Sequence, residues 1–458
     1  MSVHPPRAVR RRAFAVRLAL SAAALVAALV AACATSNIAV TPGTFRTLGS
    51  QVNGGLGRAF HAAAALSNGD VLLVGGQDAV GGPLFLTQYA ERLRWDFFSF
   101  EPETSLAGSS VGAVNVGRIL PTLAVVPGTA ASGADEVVIA GGQLTGVGYS
   151  PPPTAPIPLP WLDMAGTLLF TGGGEMYPAG VRSALAPVEI VDAGPTPVDL
   201  HGAALVAVGG DLFLIGGRDG AGAGTVRGDI RRYSPTAGTG NIAALVVDTV
   251  VALNTPRYGH TATALTGGKI LVAGGWDGTG AFLSSVEIVD VSVPASPKVK
   301  AGGALWWART MHTATALKSG TEVLIVGGIG PSSLLADTPV AEVCTVTACT
   351  AVTDLLGHTP TPRVYHSATL LGSGEVLVTG GLVETVPGSM TYTATVLTEL
   401  YDPLTGEFRA SPGDLAFARF GHTATAIPGG TVVVAGGLSK WGAGSAVPAA
   451  ERYFPERP

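Results

Sequence analysis

The sequence predicts an all-β protein made of about seven consecutive four-stranded antiparallel units. The first observation is composition: 64 of the 458 residues are glycine and only 13% are charged, which is typical of many short strands joined by tight turns. The second is an apolar run ending in Gly-Gly, which follows a strand pattern and a short turn. The third is that this pattern recurs with a period of about 50 residues, which indicates a repeat architecture.

The glycine pairs set the number of units. They lie at Gly75-Gly76, Gly141-Gly142, Gly216-Gly217, Gly274-Gly275, Gly327-Gly328, Gly380-Gly381 and Gly436-Gly437. A further pair, Gly172-Gly173, falls in the longest gap, and we assign it to a Pro/Gly-rich insertion at about 143–186. Seven units is the preferred number, with eight or six as alternatives.

The stretch "RYGHTATALTGGKILVAGG" at 257–275 contains the first two strand patterns of one unit. The Thr/Ala run predicts an innermost strand, where small side chains fit around a central axis. The turn at 266–268 reverses the chain into an apolar second strand. Gly-Gly then ends that strand where a Cβ atom has no room. The third strand follows in segments such as 285–292, and the fourth in segments such as 407–411.

Two units need strands from elsewhere. The last unit has strand patterns at 419–426, 431–437 and about 448–454, and the N-terminal segment 42–61 resembles 405–422. We therefore expect the N-terminal segment to supply the fourth strand and close a ring over residues 42–458, which leaves few open strand edges. For the second unit, we expect "PVEIVD" at 187–192 to supply the third strand after the insertion.

These motifs resemble those of kelch-repeat proteins. The glycine pairs, the Gly-Gly-x-Asp-Gly sequences at 216–220 and 274–278, and Tyr-Asp-Pro at 401–403 carry the resemblance, which covers nearly everything after residue 40. It implies a kelch-type β-propeller of the superfamily that includes the galactose-oxidase central propeller. The WD40 pattern does not fit, because too few residues separate Gly259-His260 from Trp276-Asp277 for a whole blade.

The first 32 residues are expected to be a signal peptide. An arginine-rich segment precedes an apolar run at 18–30, which is short for a membrane span. The following Leu-Val-Ala-Ala-Cys resembles a bacterial lipobox. That resemblance implies lipidation of Cys33, a short tether at 33–41, and attachment to the cell envelope through the lipid only. Ala34 after the cysteine favours the outer membrane, and the alternative is an ordinary signal peptide with a chance cysteine.

Charge and cysteine content limit the partners. The formal net charge is −5 and no basic cluster follows the N-terminus, which argues against nucleic acid. Cys344 and Cys349 form an even pair that we expect to be disulfide-bonded in an oxidising compartment. We expect a monomer with no cofactor and no metal.

One histidine recurs at the start of most of the predicted first strands. His61, His201, His260, His312, His366 and His422 share this slot, and all but His201 belong to Arg-x-x-His. A position repeated once per blade is interpreted as framework, because copies a blade apart are too distant to ligate one ion. Asp78, Asp219 and Asp277 follow the glycine pairs and are interpreted as Asx-turn residues rather than calcium ligands.

The long connections identify a candidate binding face. Second-to-third and fourth-to-first connections share one face of a propeller and hold the long segments, whereas the opposite face has short turns. Function concentrates in variable loops on a rigid scaffold. The candidate ligand-binding residues are aromatic: Trp161, Tyr177, Trp276, Tyr392 and Trp441. The alternative is that these side chains pin the loops to the blades.

These features predict a non-catalytic, envelope-tethered binding propeller that recognises a protein or a glycan. The alternative is a carbohydrate-active enzyme similar to the kelch-type sugar mutarotases. Its candidate groups at the channel mouth are Arg58, Arg257, Arg309, Arg363 and Arg419. A galactose-oxidase-like copper site is disfavoured, because the cysteines have other assignments and nearly all histidines hold framework positions.

Overall fold

The computed structural model describes residues 41–51, 57–66, 69–78, 85–86, 90–94, 99–102, 122–126, 136–140, 175–178, 202–218, 225–234, 246–331, 340–352, 360–386, 391–440 and 445–456. Within these ranges every regular element is a β-strand. Gly43–Pro458 forms one compact unit. Met1–Pro42 forms a second unit, of which only Thr41 and Pro42 are described, so Cys33 and the predicted signal peptide lie outside the described residues.

The strands follow one another along the chain with short connections. In chain order they are β1 (Thr44–Gln51), β2 (Ala62–Ala65), β3 (Val71–Val74), β4 (Gln77–Asp78), β5 (Phe85–Leu86), β6 (Ala90–Arg94), β7 (Ser99–Pro102), β8 (Thr122–Val126), β9 (Glu136–Ala140), β10 (Glu175–Pro178), β11 (Ala204–Val208), β12 (Asp211–Arg218), β13 (Val226–Ser234), β14 (Val246–Ala252), β15 (Thr261–Leu265), β16 (Lys269–Ala273), β17 (Ser285–Asp290), β18 (Lys298–Ala304), β19 (Thr313–Ala316), β20 (Val323–Val326), β21 (Ala341–Cys344), β22 (Cys349–Ala351), β23 (Ser367–Leu370), β24 (Val376–Thr379), β25 (Leu382–Glu384), β26 (Tyr392–Ala394), β27 (Thr398–Asp402), β28 (Glu407–Ala410), β29 (Thr423–Ala426), β30 (Val432–Ala435) and β31 (Ala449–Phe454).

Seven antiparallel sheets form the blades in the part of the chain that the structure describes. The first blade is β2-β3-β6-β7, the second β8-β9-β10, the third β11 to β14, the fourth β15 to β18, the fifth β19 to β22, the sixth β23-β24-β27-β28, and the seventh β29-β30-β31-β1. Two small hairpins, β4-β5 and β25-β26, lie between the second and third strands of the first and sixth blades.

The innermost strands close a ring. Each first strand contacts the first strands of the blades before and after it, in the order β2, β8, β11, β15, β19, β23, β29 and back to β2. The expectation of seven blades is therefore confirmed for the described residues. The fold class is confirmed as an all-β propeller.

The N-terminal strand completes the seventh blade as expected. β1 pairs antiparallel with β31, so that Thr44 lies opposite Phe454 and Gln51 opposite Ala449. The rings of Phe45 and Tyr453 contact each other with centroids 4.9 Å apart. The chain thus joins its two terminal segments in one sheet, which covers the edge that β31 would otherwise expose.

The core consists of first strands with small side chains and second strands with apolar side chains. The four residues of the second strands β3, β20, β24 and β30 are all buried. Their side chains pack between neighbouring sheets: Leu271 and Ile288 of the fourth blade share one cluster with Val323 and Ile325 of the fifth. Burial on both faces of a sheet explains why these strands read as continuous apolar runs.

The glycine pair after each second strand is required by close backbone approach. Gly274 and Gly275 have φ of 63° and 95°. A Cβ atom on Gly274 would lie 2.5 Å from the carbonyl oxygen of Arg309, in the next blade. Any larger residue would push adjacent blades apart.

The second blade differs from expectation. Its third-strand position is filled by β10, which pairs with β9 so that Glu175 lies opposite Ile139. The prediction that 187–192 would fill this position is not what the structure has, and those residues lie outside the described ranges. A strand can pair with the edge of β9 through its backbone alone, whatever its side chains. Residues 175–178 take this position from within the predicted insertion. An apolar pattern in the sequence therefore did not identify them.

Candidate functional site

The arginine of each Arg-x-x-His is buried inside its blade and paired with a glutamate. The guanidinium of Arg257 lies 2.6 Å from the Glu287 carboxylate, and that of Arg309 lies 2.7 Å from Glu342. The same pair forms in the other described blades that carry the motif: Arg58–Glu91, Arg363–Glu399 and Arg419–Glu451.

Each arginine also ties three strands together. Arg257 donates to the carbonyl oxygens of Gly274, at 3.0 Å, and of Ser285, at 3.0 Å. The Glu287 carboxylate accepts in turn from the backbone N–H groups of Asn254 and Thr255, in the connection that enters the blade. The pair therefore provides hydrogen-bond partners for backbone groups in three places: the connection that enters the first strand, the end of the second strand and the start of the third strand.

This geometry corrects the suggested role of the arginines at the channel mouth. Arg58, Arg257, Arg363 and Arg419 are 0% exposed and Arg309 is 2% exposed. Burial lowers the pKa of Arg309, and the Glu342 carboxylate opposes that shift. A buried guanidinium needs a fixed counter-charge, so these arginines serve the framework and cannot reach a sugar in the channel.

Sequence reasoning missed the glutamates, although a signal exists. One glutamate recurs in the third strand, 30 residues after Arg257, 33 after Arg309 and 36 after Arg363. The third blade departs from the pattern, since Arg231 of β13 takes the register position of Glu287 and pairs with Asp229 at 2.7 Å. Val198 stands where the other blades have the arginine.

Four of the described histidines, His61, His312, His366 and His422, link adjacent blades. His312 Nε2 is 2.9 Å from Thr261 Oγ1, and His366 Nε2 is 2.9 Å from Thr313 Oγ1, so each ring bonds the inner strand of the preceding blade. His61 bonds Thr423 in the same way across the closure. Among the described residues, no group of three or more His, Cys, Asp or Glu side chains is placed to hold a metal ion. This arrangement is that of a framework, and His201 lies outside the described residues.

Burial shifts the histidine pKa values strongly downward. The pKa of His260 and that of His312 fall to about 3, because burial disfavours the imidazolium and the nearby arginine adds a like charge. The pKa values of His61, His366 and His422 are also lowered, again mainly by burial. These rings are neutral at neutral pH.

Asp277 closes a turn. Its carboxylate accepts from the backbone N–H of Thr279 at 2.8 Å and of Ala281 at 2.9 Å. These hydrogen bonds lower its pKa. The Asx-turn interpretation fits this residue. Asp219 lies outside the described residues, and Asp78 is described only as part of β4.

The predicted aromatic residues occupy different environments. Trp276 is 2% exposed and stacks on Tyr258, with centroids 5.3 Å apart, so its ring belongs to the core. Tyr392 is half-buried in β26 and packs against the same cluster. Tyr177 lies in β10 opposite Val137. Trp161 and Trp441 lie outside the described residues, and a ligand-binding role for the five stays a prediction.

An apolar cap lies where the fourth-to-first connections enter the inner strands. The residue before each histidine has a left-handed backbone, and it is Phe60, Met311 or Tyr365 with φ of 55° to 56°, but glycine at 259 and 421. A large residue in this conformation costs about 1 kcal/mol or more. Packing offsets the strain: the Phe60 ring lies 5.4 Å from that of Tyr365 and 6.1 Å from that of Phe420.

Exposed apolar side chains are concentrated on the long-connection face. Of the exposed large hydrophobic residues in the described ranges, four lie in second-to-third or fourth-to-first connections: Trp306, Val386, Leu397 and Phe417. The backbone bond from Leu415 N to Val396 O brings two of these connections side by side. We call Val386, Tyr392, Leu397 and Phe417 the loop-face patch. Only Tyr392 of this set was predicted from the sequence, because the exposure of an apolar loop residue has no sequence signature.

The predicted disulfide is present. Cys344 and Cys349 are bonded across the turn between β21 and β22, with Cα atoms 4.0 Å apart. The Trp306 indole donates to the carbonyl oxygen of Cys349 at 3.2 Å. The bond stabilises a local hairpin next to the fourth blade.

Comparison with known proteins finds a curated relative and a solved structure that are similar to part of this chain. Adagio-like protein 1 from Oryza sativa subsp. japonica is 29% identical over 194 residues, which is 40% of this chain and 30% of the rice protein. The match thus spans under a third of that relative's length. A solved structure described as "Structure of YjhT" is 15% identical with a TM-score of 0.47, and the match covers 72% of this chain and 93% of that one.

A family model covers more than half of the chain. Residues 201–437 match the model described as the KLHDC2/KLHL20/DRC7 Kelch-repeats domain. These residues contain the third to sixth blades and the first two strands of the seventh. Five of the seven glycine pairs of the repeat lie within them. The protein belongs to the kelch-repeat family.

Proposed function

We propose that this protein is a non-catalytic, envelope-tethered propeller that binds a protein or a glycan through its long-connection face. The observation that carries the proposal is the distribution of side chains. The repeated charged and histidine side chains are buried in framework pairs, whereas the exposed apolar side chains lie mostly in the long connections. Exposed apolar side chains on the loops of a rigid scaffold are typical of a recognition site.

The loop-face patch favours a protein as the partner. Val386 is 61% exposed, Phe417 44% and Leu397 39%, so aliphatic and aromatic groups are available together. Burying such groups against another protein is a large source of binding free energy. The exposed ring of Trp306, at 68%, and Tyr392 leave a glycan as the other ligand class, because sugars stack on aromatic rings.

The test compares one substitution on each face. Val386→Asp places a charge in the patch, whereas Val293→Asp, at a valine of nearly equal exposure (60% against 61%), lies in a third-to-fourth turn. The Cys33→Ser protein carrying either change is applied to arrays of envelope proteins and glycans. We expect Val386→Asp to lose the signal that Val293→Asp retains, with equal melting temperatures. Equal signals from the two variants would refute a role for the patch.

Envelope tethering is part of the proposal and rests on the arginine-rich segment, the apolar run and the lipobox-like end. We expect Cys33 to carry lipid, because the lipobox resemblance makes it the mature N-terminus. Cys33→Ser should therefore move the protein from the membrane fraction to the soluble fraction. Membrane association that survives this substitution would contradict the anchor.

A carbohydrate-active function of the mutarotase type has one observation in its favour. Glu384 and Tyr392 lie opposite each other in the β25-β26 hairpin, so their side chains share a face. Burial, followed by the Glu384 carboxylate, raises the pKa of Tyr392 to about 12. A carboxylate beside a protonated phenol is an acid/base pair. Anomer exchange of free sugars, followed by NMR and abolished by Glu384→Gln, would favour this function over simple binding.

A further inference from the structure

We infer that the third-to-fourth turns form the membrane-facing side of this propeller, and that the apolar turn tips Val293 and Leu404 contact the lipid bilayer. The inference deepens the proposed function and rests on its lipid anchor at Cys33. It assigns opposite roles to the two faces, with the turns on the membrane and the loop-face patch directed to a partner.

The direction of β1 places the start of the propeller on the turn side. In each complete blade the third strand runs toward the third-to-fourth turn and the fourth strand runs back. β1 takes the fourth position, and its first residue, Thr44, pairs with Phe454 at the end of the third strand. Gly43 N donates to the Phe454 carbonyl at 2.6 Å. Gly43 and Thr44 thus occupy the place of a third-to-fourth turn.

Few residues separate the proposed anchor from the first strand of the propeller. Cys33 precedes Thr44 by only eleven positions in the sequence. Eleven residues span at most about 40 Å. The chain that carries the anchor of the proposed function therefore joins the propeller at the turn side, through Gly43 and Thr44.

Two turns on that side present apolar tips on ordered backbones. Leu404 is 90% exposed and Val293 is 60% exposed. Asp402 Oδ1 accepts from Leu404 N at 2.9 Å, and Asp290 Oδ1 accepts from Ser292 N at 3.1 Å, so an aspartate fixes each turn. Rigid apolar tips suit the boundary between headgroups and acyl chains, where apolar side chains of bound proteins lie about 5–10 Å deep.

The experiment compares matched labels on opposite faces. V293C and V386C replace valines of 60% and 61% exposure, and the native Cys344 and Cys349 are already paired. The full-length lipidated protein is labelled with an environment-sensitive fluorophore and reconstituted into phosphatidylethanolamine/phosphatidylglycerol vesicles that contain a spin-labelled lipid. We expect the label in V293C to shift to the blue and to be quenched several-fold more than the label in V386C. L404C should behave like V293C.

Three outcomes separate the inference from its premise. Equal quenching at both positions, or stronger quenching in V386C, overturns the orientation. Cys33→Ser should release the protein and abolish quenching in both variants, which supports the anchor. If the Cys33→Ser protein stays on the vesicles, the lipid anchor is wrong, whereas the comparison of V293C with V386C still decides which face meets the bilayer.

Discussion

At the scale of single residues, the Arg-x-x-His motif connects strands within a blade and connects neighbouring blades. The arginine pairs with a third-strand glutamate, and the histidine bonds the preceding blade, as Arg309–Glu342 and His312–Thr261 show. A buried charge pair is costly to form, and losing one partner leaves the other charge unpaired. The motif therefore specifies how strands and blades meet.

We expect Glu342→Gln to lower the free energy of unfolding by about 3–5 kcal/mol, because it leaves the buried Arg309 without a counter-charge. The double change Arg309→Met/Glu342→Met should recover much of that loss. Glu456→Gln is the control, since its pair with Arg409 is 38–39% exposed and should contribute under about 1 kcal/mol. Urea unfolding measures the free energy of unfolding of all three variants. Equal losses for Glu342→Gln and Glu456→Gln would contradict a structural role of the buried pair.

At the scale of elements, β1 decides whether the ring is closed. It covers the outer edge of β31 and brings Phe45 against Tyr453, which is 0% exposed. An uncovered strand edge offers unpaired N–H and C=O groups to other chains. One N-terminal strand thus contributes to stability and covers an edge that could otherwise pair with another chain.

Deleting residues 44–51 should lower the melting temperature and cause association that increases with concentration, because the edge of β31 is then open. Adding a peptide with the sequence of residues 43–52 should restore the melting temperature by filling the vacant position. Calorimetry and light scattering measure the two effects. An unchanged melting temperature in the deletion variant would show that the closure contributes nothing.

At the scale of the whole molecule, the ring of buried neutral histidines makes the propeller sensitive to acid. The pKa values of His260 and His312 are depressed to about 3, whereas an unfolded histidine titrates near 6.5. On acidification the unfolded chain binds protons first. Stability is therefore full above the unfolded value and declines as the pH falls from about 6.5 toward 3.

Between pH 7.5 and 5.5, each such histidine should lower the free energy of unfolding by about 1.4 kcal/mol. The raised pKa of Glu342 acts in the opposite direction but only at lower pH, near carboxylate values. Urea unfolding at several pH values gives the slope, and His312→Gln should reduce it by about one proton's contribution. A slope unaffected by this substitution would contradict the neutral buried state.

The sequence alone determined the repeat, the strand order, the closure by the N-terminal segment and the framework interpretation of the histidines. These follow from local patterns: Gly-Gly after an apolar run, a Thr/Ala first strand, and one histidine per period. The second blade is the exception, because β10 was recruited by backbone pairing, which any residue type can provide.

Only the tertiary structure decided what the repeated charges do and which surface is free. Arg309 and Glu342 are 33 residues apart in the chain, so their pairing appears only when the third strand lies beside the second. Trp276 and Phe417 are both aromatic residues in connections between strands, yet Trp276 is 2% exposed and Phe417 is 44% exposed. Exposure depends on the packing of neighbouring blades, and a single chain segment does not encode it.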